Sequence, residues 1–339
     1  MQVLVTGGGG YIGTVLVQRL LKEGYYVKVL DRFFFGKDKL NSVAKNPRLK
    51  LIQDDIRWFD KKILRGVDIV MDLAALSNDP SGELDPKKTM EINYKGRSRV
   101  AKLSKEQGVK RYILASSCSI YGFRDENLNE KSPINPLTTY AKANRKAEIA
   151  AKKLADKKFT TTMLRFATVF GLSPRMRFDL AVNGMVLGFF KNKQIPIMRD
   201  GKQWRPFIHV KDVAEAYVTV IQAPEEKING EIFNVGSDSL NYQILSLAKE
   251  VAKAIKIPFK KKWYGDPDSR SYRISFKKIN DVLGYKTKFS ISDGAKETFD
   301  ALKNGKTTDS IQTKTVEWYK YLLDAKNISD SVSLNDKVL

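Results

Sequence analysis

The sequence has little of what several kinds of protein chemistry require. Among its 339 residues it has one cysteine, Cys118, and one histidine, His209. A single cysteine cannot form an internal disulfide or a cysteine-rich zinc or iron–sulfur site, and a single histidine cannot supply a multi-histidine metal site. We therefore expect no metal centre and a reducing, cytoplasmic location.

The sequence also lacks the long apolar segments of membrane proteins. No run is apolar over the ~18 residues that a membrane span needs. Residues 2–5 are a short apolar run typical of a strand, without the charged and then apolar segments of a signal peptide. These features predict a protein that does not contact a membrane.

Acidic residues are few compared with basic ones. The chain has 60 Lys plus Arg against 38 Asp plus Glu, a formal net charge of +22. Most of the basic residues are lysines spread along predicted helices, whereas a nucleic-acid binder more often gathers arginines and aromatic side chains on one face. We interpret the excess charge as a solvated surface, and nucleic acid is not the expected partner.

Short apolar runs alternate with amphipathic helical stretches in the first half of the chain. The runs are continuously apolar, as in a parallel sheet covered on both faces. The pattern predicts the α/β class: a Rossmann-type, doubly wound parallel sheet with a smaller C-terminal substrate-binding lobe. The predicted strands are 3–6, 26–31, 51–55, 69–74, 111–116 and 161–166, with 207–210 and 232–235 returning to the sheet.

The same rhythm suggests where the chain divides. Residues 1–171 form the predicted Rossmann domain, completed by about 206–237, while 172–205 and 238–325 form the substrate-binding lobe and 326–339 a polar tail.

A glycine-rich segment between the first strand and the first helix indicates a dinucleotide site. Gly8, Gly10 and Gly13 have the spacing G-x-G-x-x-G, and Gly7, Gly10 and Gly13 have the wider spacing G-x-x-G-x-x-G. Such glycines allow a sharp turn and a close approach of the backbone to a pyrophosphate, which meets the free N–H groups of the helix N-terminus.

Asp31 ends the second predicted strand, about 20 residues after the glycines. A carboxylate at this position accepts hydrogen bonds from the adenosine ribose hydroxyls and repels the additional phosphate of NADP. NAD is therefore the predicted cofactor, although a basic residue, Arg32, follows directly.

Further motifs follow in a fixed order along the chain. Together they resemble the extended short-chain dehydrogenase/reductase family, in particular its NAD-dependent nucleotide-sugar epimerase/dehydratase branch, over residues 2–325. The motifs are at 6–13, 55–56, 73–75, 93–96, 116–122, 140–142, 165–171 and 205–214.

The resemblance implies a set of cofactor and catalytic residues. Tyr140 matches the family's acid/base, and Ser117 matches its catalytic Ser/Thr; a tyrosine that removes a hydroxyl proton suits oxidation of a sugar alcohol. The implied cofactor residues are Gly7, Gly10, Tyr11, Ile12, Gly13, Asp31, Arg32, Asp55, Ile56, Leu73, Ala74, Ala75, Asn93 and Ser116.

One position departs from the family pattern. The family has lysine four residues after the tyrosine, on the same helix face, where its ammonium lowers the tyrosine pKa and holds the nicotinamide ribose. Here that residue is Asn144. Either the enzyme works with a less activated Tyr140, or the chain is a catalytically silent NAD-binding sensor or assembly protein. In an enzyme, Asn144→Lys is expected to leave sugar-dependent NAD reduction unchanged or faster.

The residues after Ser117 bear on the reaction. Family dehydratases have Asp-Glu there, and the decarboxylases tend to have a glutamate, whereas this chain has Cys118 and Ser119. The resemblance therefore implies a nucleoside-diphosphate-sugar epimerase, with transient C4 oxidation and hydride return, or a C4-dehydrogenase, in surface-polysaccharide sugar synthesis.

The resemblance also implies substrate residues and a partner. Homodimerisation is implied through residues 93–107 and 140–157, and His209 is expected to be structural. The residues expected to contact the sugar-nucleotide diphosphate are Asn183, Arg205 and Arg270, joined by Arg175 and Arg177.

Overall fold

The computed structural model describes residues 1–124, 126–198, 200–266, 271–334 and 337. Arg270, one of the predicted substrate residues, lies outside the described residues. The strands, in chain order, are β1 (Gln2–Thr6), β2 (Tyr26–Asp31), β3 (Leu49–Gln53), β4 (Ile69–Asp72), β5 (Arg111–Ser117), β6 (Asn127–Leu128), β7 (Thr160–Phe166), β8 (Thr168–Phe170), β9 (Ile195–Met198), β10 (Trp204–His209), β11 (Glu231–Val235), β12 (Asn241–Gln243), β13 (Lys261–Tyr264) and β14 (Arg273–Ile274).

Helices follow most of the long strands. They are α1 (Tyr11–Lys22), α2 (Asp79–Gly82), α3 (Pro86–Met90), α4 (Arg97–Glu106), α5 (Thr139–Lys152), α6 (Ala181–Asn192), α7 (Val210–Gln222), α8 (Ile244–Ala254), α9 (Lys277–Leu283), α10 (Ile291–Lys303) and α11 (Thr315–Val332). A π-helical segment, Glu91–Gly96, joins α3 to α4. No helix in the described ranges has both the length and the apolar character to cross a membrane.

Seven of the strands form one parallel sheet in the order β11-β7-β5-β4-β1-β2-β3. Alternate residues of a strand face opposite sides. Val3 and Val5 pack with α1 and α7 on one face, while Leu4 packs with α4 and α5 on the other. The doubly wound α/β fold predicted from the continuous apolar runs is confirmed.

The order of the strands places a crevice above β1 and β4. The chain leaves β1 towards β2 and β3 on one side, and continues from β4 towards β5, β7 and β11 on the other. At such a switch point the connecting loops diverge, and ligands of doubly wound folds bind outside the carboxyl ends of the strands there.

Two details differ from the sequence-based expectation. β10 does not return to the main sheet but lies between β8 and β12 in a three-stranded sheet, where it pairs in parallel with β8 and antiparallel with β12. The apolar pattern of residues 207–210 identifies a buried strand, but it carries no information on which partner the strand pairs with. In addition, α11 continues to Val332, past residue 326 where the sequence predicts a polar tail.

Candidate functional site

A cavity of about 690 Å³ opens at the carboxyl ends of the parallel strands. Its walls come from the glycine-rich turn, the loops after β2, β3 and β4, the end of β5 and the start of α5. Most of the predicted cofactor residues line it. These are Gly7, Gly10, Tyr11, Ile12, Gly13, Asp31, Arg32, Asp55, Ile56, Leu73, Ala74, Ala75 and Ser116.

The glycine-rich turn fits a dinucleotide for steric reasons. Gly7 has φ +71°, the left-handed region that favours glycine. A Cβ on Gly13 would lie 2.3 Å from the main-chain oxygen of Gly7, so a side chain there would push the turn and α1 apart. Gly10 caps α1 without a side-chain hydrogen bond. The first N–H groups of α1 therefore point towards the cavity without a side-chain acceptor from the cap, as a pyrophosphate requires.

Asp31 is held in place at the end of β2. Its Oδ2 accepts a hydrogen bond from the Gly9 N–H at 2.9 Å, and its Oδ1 accepts one from the Phe33 N–H at 2.6 Å. Burial raises the pKa of Asp31, and these two hydrogen bonds oppose the rise. The carboxylate keeps further lone pairs on the cavity side, which suits ribose hydroxyls.

Arg32 is held in an ion pair with Asp55. The Arg32 Nη1 lies 3.1 Å from Asp55 Oδ2, and Arg57 donates to the same carboxylate at 2.8 Å. Burial acts to raise the pKa of Asp55, but hydrogen bonds from Arg57 outweigh it, and the net shift is downward. Arg32 is thus paired within the protein, and Asp31 lines the cavity.

Ser117 and Tyr140 bring two hydroxyl-bearing side chains to the cavity wall. Ser117 ends β5, and its Oγ accepts a hydrogen bond from the Ser119 N–H at 3.1 Å. Tyr140 lies in the first turn of α5, which is capped by Thr138 through a hydrogen bond from the Ala141 N–H. The strand end and the capped helix start are both rigid, so the two side chains have fixed positions.

The pKa of Tyr140 reflects several neighbours. Burial raises it, and the negative charge of Asp79 raises it further. The positive charge of Arg97 and hydrogen bonds from Asn144 and Ser117 lower it. The net shift is upward from 10.0, so Tyr140 in the protein alone is a protonated acid at neutral pH.

Asn144 and Asn93 lie behind the cavity wall. Asn144 is 1% exposed, and its Nδ2 donates to the main-chain oxygen of Tyr140 at 3.0 Å. Asn93 exchanges two hydrogen bonds with the main chain of Leu76, at 2.8 and 2.9 Å. The direct cofactor contact predicted for Asn93 therefore differs from the structure, in which its side chain fixes a wall loop.

Sequence reasoning missed Arg97, which also lines the cavity. The signal was its spacing: Arg97 shares a helix stripe with Val100 and Ser104, and all three are buried. A second signal was Asp72, an acidic residue at the end of the otherwise apolar and fully buried strand β4. A base and an acid that both fall in buried patterns indicate a buried pair.

Three of the predicted substrate arginines, Arg175, Arg177 and Arg205, line the cavity. Arg177 forms an ion pair with Asp179 at 2.7 Å. Arg175 stacks on the ring of Phe35 at 3.6 Å, in the loop after β2. Burial and the charge of Arg177 lower the pKa of Arg175. Arg175 therefore lies on the cavity wall between Phe35 and Arg177.

Asn183 does not reach the cavity surface. It is fully buried; its Oδ1 accepts from the Gly171 N–H at 3.0 Å, and its Nδ2 donates to Tyr11 Oη at 3.1 Å and to the Arg177 main chain at 2.9 Å. The predicted diphosphate contact therefore differs from the structure, because the protein itself uses both ends of the amide. Asn183 instead fixes Tyr11 and the loop of Arg177.

The two residues after Ser117 do not form an acid/base pair. Cys118 is 1% exposed, its Sγ contacts the main-chain oxygen of Arg165, and burial raises its pKa well above the usual range. Ser119 lines the cavity with a hydroxyl, which is a weak acid and a weak base.

The chain is similar in sequence and in structure to known proteins. The chain is 29% identical over 90% of its length to UDP-glucuronic acid decarboxylase 1 of Arabidopsis thaliana, of which it covers 70%. It is 30% identical over 85% of its length to UDP-glucose 4-epimerase of Lactobacillus helveticus, of which it covers 92%. Among solved structures, UDP-glucuronic acid 4-epimerase from Bacillus cereus, in complex with UDP-glucuronic acid and NAD, superposes with a TM-score of 0.81 at 25% identity, covering 90% of this chain and 99% of that one.

The family profile described as NAD dependent epimerase/dehydratase family matches residues 3–236, which include the glycine-rich turn, Asp31, Ser117 and Tyr140. The cavity fits NAD, the cofactor in the description of the family. The chain belongs to the NAD-dependent epimerase/dehydratase family.

Proposed function

We propose that this enzyme oxidises C4 of a nucleoside-diphosphate sugar with NAD and returns the hydride, as an epimerase, or releases the keto sugar, as a C4-dehydrogenase. The observation that carries the proposal is the placement of the Tyr140 and Ser117 side chains on the wall of the same cavity as the glycine-rich turn and Asp31. Surface-polysaccharide sugar synthesis is the process that we propose for it.

The residues divide the reaction between them. Tyr140 would take the proton of the C4 alcohol as C4 is oxidised to a ketone; in epimerisation it would return this proton to the oxygen while the hydride returns to the other face of C4. Bound NAD supplies the hydride acceptor. Ser117 orients the alcohol oxygen, and Tyr140 must be deprotonated when the alcohol binds, so the positive charges around it determine the rate.

The loss of water or carbon dioxide is not supported by the side chains. Cys118 is buried against Arg165, so no acid/base pair follows Ser117.

The test is a screen of UDP-, GDP-, CDP- and dTDP-sugars with NAD, first by thermal shift and then by product analysis. A C4 epimer that retains a deuterium placed at C4 supports epimerisation, and accumulation of NADH supports net oxidation. Tyr140→Phe is expected to bind the same sugar nucleotide but to turn over at least about 100-fold more slowly. Tyr26→Phe, at an exposed position, is the control. Products that lack water or carbon dioxide would contradict the proposal.

The catalytically silent alternative gains no support from the comparisons, since the compared relatives are named as enzymes. The same screen separates the two. A silent protein binds NAD but gives no product with any sugar nucleotide, and its Tyr140→Phe variant behaves like the wild type.

We propose that residues 172–205 and 238–325 serve as the substrate-binding lobe. Support comes from a separate hydrophobic core around α6, α8 and α10, next to which Arg177 and Arg205 line the cavity. Arg205→Met is expected to raise the KM for the sugar nucleotide about tenfold, because it removes a charged hydrogen-bond donor worth roughly 1.5–3 kcal/mol, and to leave the Kd for NAD unchanged. A change confined to NAD binding would contradict this assignment.

We also propose a homodimer through α4 and α5 and a reducing, cytoplasmic location. The two helices contact each other on one side of the main sheet, and Ile149 is exposed on α5. The single cysteine, Cys118, is buried and free, which suits a reducing compartment. Light scattering tests the dimer, and cell fractionation tests the location.

A further inference from the structure

A buried arginine, Arg97, lines the same cavity as Tyr140. Arg97 is 1% exposed, and its Nη1 donates to Asn144 Oδ1 at 2.8 Å. Its Nη2 donates to the main-chain oxygens of Asp72, at 2.9 Å, and Ala115. These bonds tie one cation to the ends of two neighbouring strands and to the helix of Tyr140. The guanidinium is therefore held in one position.

The nearest acid neutralises this cation only in part. Asp72 is fully buried, and its carboxylate accepts hydrogen bonds from Thr6 Oγ1 and Tyr112 Oη. Arg97 Nε is 3.7 Å from Asp72 Oδ2 and has no hydrogen-bond partner among the described residues. Burial raises the pKa of Asp72, with the charge of Arg97 opposing it. Asp72 is thus partly satisfied by hydroxyl donors, and the charge of Arg97 also acts on the cavity side.

Asn144 connects the cation to Tyr140. Its Oδ1 accepts from Arg97, and its Nδ2 donates back to the main chain of Tyr140. A lysine at position 144 would place an ammonium against the guanidinium in a buried space, where two like charges repel strongly. The buried Arg97 is therefore compatible with asparagine at position 144 but not with the lysine of the family pattern.

The local backbone explains how an arginine comes to lie there. The π-helical segment Glu91–Gly96 ends directly before Arg97. An i→i+5 turn inserts a residue into the helix and re-aims the side chains that follow, and such turns often occur at functional sites. Arginine suits the position because its planar fork of donors satisfies several acceptors while it keeps a permanent charge.

We propose that Arg97 is a positioning residue that supplies, through Asn144, the positive charge that stabilises the deprotonated form of Tyr140, in the role that the family pattern gives to a lysine at position 144. The inference rests on the proposed function, since it assigns the activating charge of the same site. The charged and polar side chains that act on Tyr140 are Arg97 from α4, Asp79 from α2, Ser117 from β5 and Asn144 from α5.

The test removes the charge without leaving a buried partner. Arg97→Met alone would strand Asp72, so the variant is Asp72→Asn with Arg97→Met, and Asp72→Asn alone is the matched control that keeps the cation. Asp72→Asn with Arg97→Gln is a second neutral variant that keeps a donor to Asn144, and Asp72→Asn with Arg97→Lys is the conservative rescue.

The first readout does not need activity. Tyrosinate absorbance of the NAD-bound protein is titrated, and subtraction of the matching Tyr140→Phe spectrum isolates Tyr140. Removal of the cation is expected to move the Tyr140 midpoint up by about one pH unit or more, and Arg97→Lys is expected to restore it. An unchanged midpoint in either neutral variant relative to the Asp72→Asn control overturns the proposal.

The second readout is the pH profile of kcat/KM with the sugar found in the screen. The limb that reports Tyr140 is expected to move by the same amount, with a smaller change in the KM for the sugar. If the wild type turns over no sugar nucleotide, the proposed function fails, while the absorbance titration still decides the role of Arg97.

A position swap completes the test. In the wild-type background, Asn144→Lys is now expected to lower stability and activity, because the ammonium meets Arg97. The structure thus reverses the expectation drawn from the sequence. In the Asp72→Asn, Arg97→Met background, Asn144→Lys is expected to bring the Tyr140 midpoint back down. An equal loss of stability and activity in both backgrounds would contradict the proposal that Arg97 takes the role of the lysine.

Discussion

We propose that the choice of dinucleotide depends on Asp31. Its carboxylate is fixed by the N–H groups of Gly9 and Phe33 and lines the cavity. Asp31→Asn keeps the size of the side chain but removes the charge and one of the two acceptor oxygens, so we expect the Kd for NAD to rise about tenfold and the preference over NADP to shrink. Calorimetric titration with both cofactors measures this. Glu106→Gln, at an exposed position, is the control, and an unchanged preference would contradict the role.

His209 and Glu297 form a structural pair outside the cofactor crevice. His209 Nδ1 accepts from the Lys211 N–H at 3.2 Å, so its Nε2 is the donor to Glu297 Oε1 at 2.6 Å. Glu297 also accepts from the Leu172 N–H and Lys211 Nζ. This arrangement agrees with the structural role that the sequence suggested for His209.

The pKa of Glu297 predicts how the pair depends on pH. Burial acts to raise it, but hydrogen bonding and charge from His209 lower it from 4.5 to about 2. A depressed folded pKa stabilises the protein above the unfolded value and loses that effect as the pH falls through the folded one. We expect Glu297→Gln to cost about 2–3 kcal/mol above about pH 5, and the difference from wild type to vanish towards about pH 2. Urea unfolding across this range measures it; a constant difference would contradict the shift.

At this scale the sequence predicts residues whose role follows from local chemistry. Gly7 and Gly13 are required by a turn, and Asp31 follows a strand, so spacing alone identifies them. The contact between Arg97 and Asn144 joins residues 47 positions apart, and no local pattern specifies it. Asn183 shows the opposite limit, because its residue type fits a ligand while its buried surroundings use its hydrogen-bonding groups.

At the scale of elements, α11 covers the loop that carries the ribose end of the site. Trp318 Nε1 donates to the main-chain oxygen of Phe34 at 2.8 Å, and the Tyr319 ring packs on those of Phe34 and Phe35 at 6.0 and 5.7 Å. Tyr319 also lines the cavity. α11 thus packs against the loop after β2, next to the cofactor site.

This contact predicts a binding effect at a distance from the glycine-rich turn. Tyr319→Ala removes the aromatic packing, which is worth about 1–3 kcal/mol, and frees the loop after Asp31. We expect the Kd for NAD to rise about fivefold to tenfold, with a small fall in Tm. Leu323→Ala, at an exposed position of the same helix, is the control. Equal effects of both variants would show that only helix propensity is involved.

Apolar runs in the sequence predict the strands of the main sheet, but they predict the ends of these strands less well. β2 begins and ends as predicted, at residues 26 and 31, whereas β3 is Leu49–Gln53 rather than 51–55. The predicted strand extends too far because Asp55 lies beyond the end of β3, where it forms ion pairs with Arg32 and Arg57. β10 is a strand in another sheet, since pairing partners depend on distant segments.

At the scale of the whole molecule, the basic residues that give the net charge of +22 lie in two kinds of place. Arginines line the crevice, with Arg97, Arg177 and Arg205 among its walls. Lysines lie mostly at the surface, and Lys95, Lys102, Lys142 and Lys146 are exposed on or beside α4 and α5, the face proposed for the dimer. Two copies that meet there bring these lysines close together, so self-association works against repulsion.

The repulsion makes the proposed dimer sensitive to salt. Exposed charges are screened beyond a Debye length, which falls from about 30 Å at 0.01 M to about 8 Å at 0.15 M ionic strength. We therefore expect the dimer to tighten as salt rises, the reverse of an interface held by ion pairs, and light scattering over a dilution series measures it. Ile149→Glu should give a monomer at every ionic strength because it replaces an exposed apolar side chain of α5 with a carboxylate that the contact would bury. Lys152→Glu, at the end of α5, should reduce the net charge and strengthen the dimer at low salt. A monomer at all salt concentrations in the wild type would remove the interface, and a dimer that Ile149→Glu leaves intact would place it on another face.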